Sequence, residues 1–298
     1  MVRACGMLLL ALAVGGAGLP DRAAAEPKPA TIRLGVLSGM FRNVPPAAVQ
    51  AAATPFRDLF KTHAGVDGEV AVVDDCEALA AGLTDRTLDL GVFHGFEWAW
   101  VRDRHPDLRP LVVTIPPKKP RACIVVPQNS PAASPADLTT TRVVVPMGTK
   151  AHCHLYLGRL CETLPAGCCT AEKDGEAWSD EVLDLLVAGK CGAALIDAAA
   201  LAAYQNNKPG AGKVLKILAQ SDPFPPAVIA YHKDGLGAGV ARNIRGGLLK
   251  THKTPGGKAF LRLWKLEGFE DAPPGFEADL QSVLKAYPPP RAVAPPQK

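Results

Sequence analysis

Short apolar strand segments alternate with helix-forming segments along most of the chain, and this alternation limits the fold more than any other feature of the sequence. Strands are predicted at 32–37, 70–73, 88–93, 111–115, 121–126, 143–145, 191–197, 214–218 and 227–231. Helices are predicted near 46–63, 76–83, 94–100, 134–138, 149–164, 179–186, 240–251, 257–266 and 276–286. Because strands that alternate with helices pair in parallel and are covered by the helices, the sequence predicts a parallel α/β protein.

The chain is long enough to form two domains, each with a hydrophobic core. It has 298 residues, of which 48% are hydrophobic and 21% are charged, as in ordinary globular proteins. The formal net charge of +4 is small and is spread along the chain. This charge distribution argues against a nucleic-acid partner, which requires a concentrated basic surface.

The first 25 residues have the features of a cleavable secretory signal peptide. A basic start at Arg3 precedes an apolar run over 7–19, and small residues end at Ala25, just before Glu26. The apolar run is shorter than the roughly 20 residues that a membrane span needs, and it contains three glycines. We therefore expect cleavage after Ala25 and export of the mature chain.

Export changes how the cysteines are interpreted, because disulfides form in oxidising compartments. The mature chain would contain seven of them: Cys76, Cys123, Cys153, Cys161, Cys168, Cys169 and Cys191. We expect one or two disulfides among the five that lie between 153 and 191, with the connectivity left open. Since the number is odd, at least one thiol stays unpaired.

A strand, a turn and a helix start follow one another over 143–154, and this segment has the features of an anion-binding site. Three valines form the strand, Gly148 permits a tight turn, and Thr149 is a good N-cap residue for the helix that follows. The free N–H groups of a helix start attract anions, and Lys150 adds a positive charge. The segment therefore predicts a cradle for a phosphate, sulfonate or carboxylate, although an ordinary strand-to-helix turn would have the same sequence.

Several short segments occur in an order that is typical of one family. They are LGVL at 34–37, LDLG at 88–91, IVVPQNSP at 124–131 followed by ADL at 136–138, AGKCGAA at 188–194 and AQSDPFP at 219–225. In this order the chain, over about 31–250, resembles the periplasmic substrate-binding proteins of ABC transporters in the phosphate, phosphite and phosphonate-binding family. The ligand loop of that family falls on 148–152, where Thr149 matches it.

The resemblance implies the type 2 periplasmic-binding-protein fold, in which two α/β lobes are joined by two crossing strands and close over a ligand. Lobe 1 would comprise 26–126 and 222–298, and lobe 2 would comprise 127–221. It also implies a periplasmic monomer that needs no cofactor, performs no catalysis and delivers a small oxyanion-bearing solute to an ABC permease in the inner membrane.

In such a fold the ligand-binding side chains lie at strand ends and helix starts that face the cleft. The candidates are Met40, Phe41, Arg42, Asp75, His94, Phe96, Thr149, Lys150, His152, Trp178, Asp197 and Asp222.

Among these candidates, three roles are expected from chemistry. Lys150 and Arg42 would clamp an oxyanion from the two lobes. Met40, Phe41 and Trp178 would pack against an organic group. Asp197 would suit an amine or a hydroxyl of the ligand.

Metal binding is the alternative from another functional class. Imidazole and sulfur ligands are concentrated at His152, Cys153 and His154, with Cys161, Cys168, Cys169 and His94 as further candidates. The spacing opposes a site built from both histidines, because residues two apart on a helix point to different sides.

Enzymatic activity has less support in the sequence. The motifs GxSxG, HExxH and GxGxxG and the phosphate-binding P-loop do not occur. Cys153 with His152 or His94 could form a nucleophile pair, but the sequence supplies no third group to orient it. We therefore expect solute binding without catalysis, and a sensor role stays open.

Overall fold

The computed structural model describes residues 31–41, 54, 56–58, 60–62, 65–139, 141–164, 171–173 and 177–290, with the backbone alone at 41 and 171–173. Its strands are β1 (Thr31–Leu37), β2 (Asp67–Val73), β3 (Leu90–Phe93), β4 (Leu108–Ile115), β5 (Ala122–Pro127), β6 (Val143–Val145), β7 (Ala171–Lys173), β8 (Ala193–Asp197), β9 (Leu215–Gln220), β10 (Val228–His232) and β11 (Gly268–Glu270).

Helices follow most of these strands, as the sequence predicts. They are α1 (Cys76–Thr84), α2 (Gly95–Val101), α3 (Ala151–Thr163), α4 (Ser179–Val187), α5 (Ala198–Asn207), α6 (Pro209–Gly212), α7 (Ala238–Leu249), α8 (Pro255–Leu263) and α9 (Phe276–Ala286). Single 3-10 turns lie at Ser38–Phe41, Pro135–Asp137 and Thr251–Lys253. Most of the helix predicted at 46–63 and the whole signal peptide lie outside the described residues, although 54, 56–58 and 60–62 are helical.

The strands form two sheets, which confirms the α/β class. The first has the order β11-β4-β10-β3-β1-β2, and the second has the order β7-β6-β8-β5-β9. Both sheets are mixed, so the expectation of purely parallel pairing was wrong. β1, β2 and β3 are parallel, whereas β10 is antiparallel to β3 and β4. The reason is that β10 enters the first sheet from the second one through an extended segment instead of a helical crossover.

Two extended segments carry the chain between the sheets. The first, 116–121, joins β4 to β5, and the second, 221–227, joins β9 to β10. They lie side by side, since the Phe224 N–H donates to the Pro120 carbonyl at 2.8 Å and Arg121 Nη1 donates to the Ser221 carbonyl at 2.9 Å.

The predicted lobe boundary placed 121–126 in the first lobe. In the structure, β5 pairs with β8 and β9 of the second sheet.

Apolar side chains cover both faces of the central strands. On β5, Ala122, Ile124 and Val126 join a core that extends across both sheets, whereas Cys123 and Val125 join a core under α4 and α5. Strands buried on both faces have continuous apolar sequences instead of alternating ones. This burial explains why the strands of this chain are recognisable from composition alone.

The helices do not suggest a membrane-spanning segment. Within the described ranges, every helix is too short or too polar to cross a bilayer.

The start of α2 packs directly against the second crossing segment. A Cβ atom added at Gly95 would lie 2.4 Å from the Pro225 carbonyl oxygen and 2.5 Å from the Pro226 carbonyl oxygen. Because both contacts are with backbone, no side chain can rotate away to relieve them. Gly95 therefore fixes how closely the first sheet and the crossing segment approach.

We predict that Gly95→Ala lowers the free energy of unfolding by about 1–3 kcal/mol, the usual cost of overpacking. Gly158→Ala is the matched control, because Gly158 is exposed in the middle of α3 with open space around it. That change should leave stability unchanged or raise it by up to about 1 kcal/mol. Urea unfolding of both variants measures the difference, and a Gly95→Ala protein as stable as the wild type would contradict the packing described.

Candidate functional site

The candidate site lies between the two sheets, where strands of both sheets end. Met40 follows β1 and His94 follows β3 in the first sheet, while Thr149 follows β6 and Asp197 ends β8 in the second. In open α/β sheets the carboxyl ends of the strands form the ligand crevice. The fold thus brings together residues from distant parts of the sequence.

A cavity of about 390 Å³ occupies this position. Its first-sheet side includes Val36, Met40, Val92, His94, Phe96 and Thr114, and its second-sheet side consists of Gly148, Thr149, Lys150, Ala151, His152 and Trp178. Both crossing segments contribute as well, through Pro116, Pro120 and the stretch 224–227. The size fits a small organic molecule.

The turn before α3 is tight and is covered by an aromatic side chain. Gly148 has φ +71°, a conformation that favours glycine, and a Cβ atom added to it would lie 2.7 Å from Cζ3 of Trp178. The N-cap residue is Lys150, not Thr149 as predicted. Thr149 is buried, and its hydroxyl donates to the Pro146 carbonyl at 2.6 Å, so it closes the turn instead of capping the helix.

Asp197 connects this turn to the end of β8. Its Oδ1 accepts hydrogen bonds from the N–H groups of Ala199 and Ala200, as the N-cap of α5, and it lies 3.3 Å from Lys150 Nζ. Its Oδ2 lies 3.1 Å from Nε2 of His152, in an orientation that does not form a hydrogen bond. One carboxylate therefore neutralises the cationic side chain that the sequence assigns to ligand binding.

Burial and charge act in opposite directions on this carboxylate. Burial alone would raise the pKa of Asp197, but the imidazole of His152 and the ammonium group of Lys150 lower that pKa to about 2. Asp197 is therefore ionised at neutral pH.

Burial raises the pKa of the neighbouring Cys153 thiol well above its ordinary value. A buried, protonated thiol is a poor nucleophile, which weakens the enzymatic alternative.

A row of aromatic rings connects the two sides of the cleft. His94 stacks on Phe96 at 5.3 Å between ring centroids, Phe96 meets Phe224 edge to face at 6.0 Å, and Phe224 lies 5.3 Å from His152. Glu97 orients the first ring, because its Oε2 lies 2.6 Å from Nδ1 of His94. His94 lines the cavity, so its ring is placed to contact a ligand.

Comparison with known proteins identifies the family. Residues 39–274 match the family described as ABC transporter, phosphonate, periplasmic substrate-binding protein. The chain belongs to this family. It is therefore a solute-binding protein of the ABC transporter class, and the family is not a class of enzymes. The family prediction made from the sequence is confirmed, and family membership implies the periplasm.

Solved structures of distant proteins share the fold. XAC2383 from Xanthomonas citri, bound to ATP, is 16% identical with a TM-score of 0.62, covering 87% of this chain and 97% of that one. PhnD1 from Prochlorococcus marinus, in complex with methylphosphonate, is 14% identical with a TM-score of 0.61, covering 86% and 97%. A binding protein of an ABC phosphonate transporter from Pseudomonas aeruginosa is 11% identical with a TM-score of 0.57, covering 85% of each chain. No curated protein sequence matches the chain.

Seven of the twelve candidate residues of this phosphonate-family protein line the cavity: Met40, His94, Phe96, Thr149, Lys150, His152 and Trp178. Asp197 lies behind Lys150 and His152. Asp75 instead caps α1, where its Oδ1 accepts from the Ala78 N–H at 2.8 Å, and Asp222 is exposed on the second crossing segment. Arg42 and the side chain of Phe41 lie outside the described residues.

A second group of aromatic residues at the cavity was not predicted from the sequence. These are Phe56, Phe224, Phe260, Trp264 and Phe269. Phe260 and Trp264, four residues apart near the end of α8, have the spacing of an ordinary core-facing helix. Only the position of α8 beside the cleft makes them candidates, and the sequence does not reveal that position.

The expected disulfides are not found among the described residues. No bond joins any two of Cys76, Cys123, Cys153, Cys161 and Cys191. Cys153 and Cys161 lie on the same helix, about 12 Å apart along its axis at 1.5 Å per residue, which is too far for a disulfide. Cys168 and Cys169 lie outside the described residues.

We predict that Asp197→Asn lowers the free energy of unfolding by about 2 kcal/mol at pH 7, because it removes a carboxylate whose pKa falls from 3.8 to about 2 on folding. A lowered pKa stabilises the folded state above the unfolded value. The difference between wild type and variant should therefore shrink as the pH falls from about 4 to about 2. Chemical unfolding across this range measures it, and a difference that stays constant would contradict the charge network.

Proposed function

We propose that this protein captures a small organic solute carrying an oxyanion, such as a phosphonate or sulfonate with an apolar substituent, and delivers it to an ABC permease. The anionic end would lie at the start of α3 and the organic end between the aromatic walls. We also propose that the chain is exported after cleavage at Ala25 and acts as a monomer.

The start of α3 supports the position of the anion. Ala151 and His152 are its first two helical residues, and both line the cavity. The N–H groups of a first helical turn have no carbonyl partner within the helix and carry a partial positive charge. The helix spans thirteen residues, which is long enough for that field to develop fully.

The charges around the cavity favour a ligand of low charge. Lys150 and Lys265 line it, while Asp197 and Glu97 lie directly behind Lys150 and His94. Two cations and two carboxylates largely cancel. Lys150 is nevertheless 55% exposed, so its ammonium group can turn from Asp197 towards a bound anion. Arg42, which follows β1 in the sequence, remains the predicted partner of Lys150 in holding the anion.

The apolar walls support an organic substituent on the ligand. Trp178 lies against Gly148 and Phe224 lies beside His152, both near the start of α3. Apolar side chains elsewhere in the lining are Met40, Phe96, Phe260 and Trp264. Burying a group of several carbons against such walls stabilises a complex by about 25 cal/mol per Å² of apolar area. Inorganic phosphate would leave this surface exposed to water.

The observation that carries the proposal is the combination, in one cavity, of a free helix start with Lys150 and an aromatic wall. A thermal-shift screen tests the ligand class, because a ligand that binds the folded state raises its melting temperature. The probes are phosphate, phosphite, methylphosphonate, phenylphosphonate, alkyl and aryl sulfonates, and carboxylates. Organic phosphonates or sulfonates should give the largest shifts, and no shift with any oxyanion would contradict the proposal.

We predict that Lys150→Ala weakens binding of the strongest of these probes by about tenfold, the equivalent of one charge-assisted hydrogen bond. Lys258→Ala is the matched control, since Lys258 is exposed on α8 and does not line the cavity. Isothermal titration of both variants measures the change. Equal affinities in the two variants would show that the anion does not lie beside Lys150.

A further inference from the structure

A compact group of three metal-ligating side chains lies in the wall of the cleft. One ligand atom each from His152, Cys153 and Asp197 lies within 4.8 Å of the other two, and all three residues are buried. His154, a candidate ligand from its sequence position, is not a member of this group. The third ligand comes from β8 instead, at a distance in sequence that no local motif reveals.

The ligand atoms of His152 and Asp197 are not fully used by the protein. Nε2 of His152 is buried, in a residue that is only 5% exposed, and it forms no hydrogen bond with any part of the chain that the structure describes. The Oδ1 atom of Asp197 accepts hydrogen bonds from the N–H groups of Ala199 and Ala200 and forms an ion pair with Lys150. The other oxygen, Oδ2, lies 3.1 Å from Nε2 of His152. A buried polar atom without a partner is costly, and a metal ion is one way to satisfy it.

The distances suit a tetrahedral ion. With Zn–N and Zn–O bonds near 2.0–2.2 Å, a tetrahedral site places the two ligand atoms about 3.3 Å apart, close to the 3.1 Å found here. A Zn–S bond of about 2.3 Å places the sulfur roughly 3.5 Å from the other two ligand atoms. The Cys153 sulfur lies within 4.8 Å of a ligand atom of each of the other two residues.

We propose that His152, Cys153 and Asp197 form a binding site for Zn²⁺, with the fourth coordination position open to the cleft. His152 lines the cavity, so this position faces the ligand space. Zinc sites with three protein ligands and one exchangeable position are built from this set of donors. On binding, the thiol of Cys153 loses its proton to solvent and the thiolate bonds to the metal.

Metal binding would change the charge of the cleft. The ion brings two positive charges and the released proton removes one, so the site gains one positive charge. This compensates for the neutralisation of Lys150 by Asp197. The zinc proposal does not depend on the identity of the organic ligand, because zinc binding is measured without it.

Titration of the metal-free, tag-free mature protein with Zn²⁺, in competition with a chromophoric chelator, tests the site. The wild type should bind one zinc ion per chain, and Cys153→Ser should weaken that binding by about tenfold or more. His154→Gln is the control, because it removes a histidine from the same helix without touching the three ligands. Binding that is absent, or that is equal in the wild type and Cys153→Ser, would overturn the proposal.

Cobalt substitution provides a second measurement, and its deciding result comes from the wild type alone. Co²⁺ bound at this site should show a thiolate-to-cobalt charge-transfer band in the wild type, because Cys153 is a ligand. The band should persist in His154→Gln and disappear in His152→Gln. A Co²⁺ complex of the wild type without this band would show that the metal lies elsewhere and would overturn the assignment.

Discussion

The carboxylate of Asp197 connects the elements that form the second-sheet side of the cleft. It caps α5, lies against Lys150 at the N-cap of α3, and faces His152 in the first turn of that helix. Because it is buried and ionised, the starts of α3 and α5 must stay close to it even when the Lys150 ammonium group turns towards a ligand, since an unpaired buried charge is strongly destabilising. The start of α3, where an anion would bind, is therefore held in position before any ligand arrives.

This arrangement has a consequence for specificity. A cleft in which Lys150 is already paired attracts a highly charged anion less strongly than one with a free lysine does, and apolar contact becomes more important. The aromatic row from His94 through Phe96 and Phe224 to His152 crosses from one sheet to the other. It offers a continuous surface for an organic substituent, and the contacts would persist if the two lobes closed together.

Much of the fold could be predicted because the strands are buried on both faces and the helices are amphipathic. The strand-end rule also identified Met40, His94, Lys150 and His152, which the structure brings to one cavity. The pairing of Lys150 with Asp197 could not be predicted, because it depends on how β6 and β8 adjoin. The disulfide expectation came from the compartment and from the clustering of cysteines over 153–191, whereas Cys153 is packed in an apolar core.

Isothermal titration of the wild-type protein with phenylphosphonate and with methylphosphonate tests the central claim most directly. The two probes share the same anionic group and differ only in the apolar area that the aromatic walls can bury. If the cleft selects an oxyanion with an organic substituent, phenylphosphonate should bind about tenfold more tightly or better. Equal or tighter binding of methylphosphonate would contradict the account.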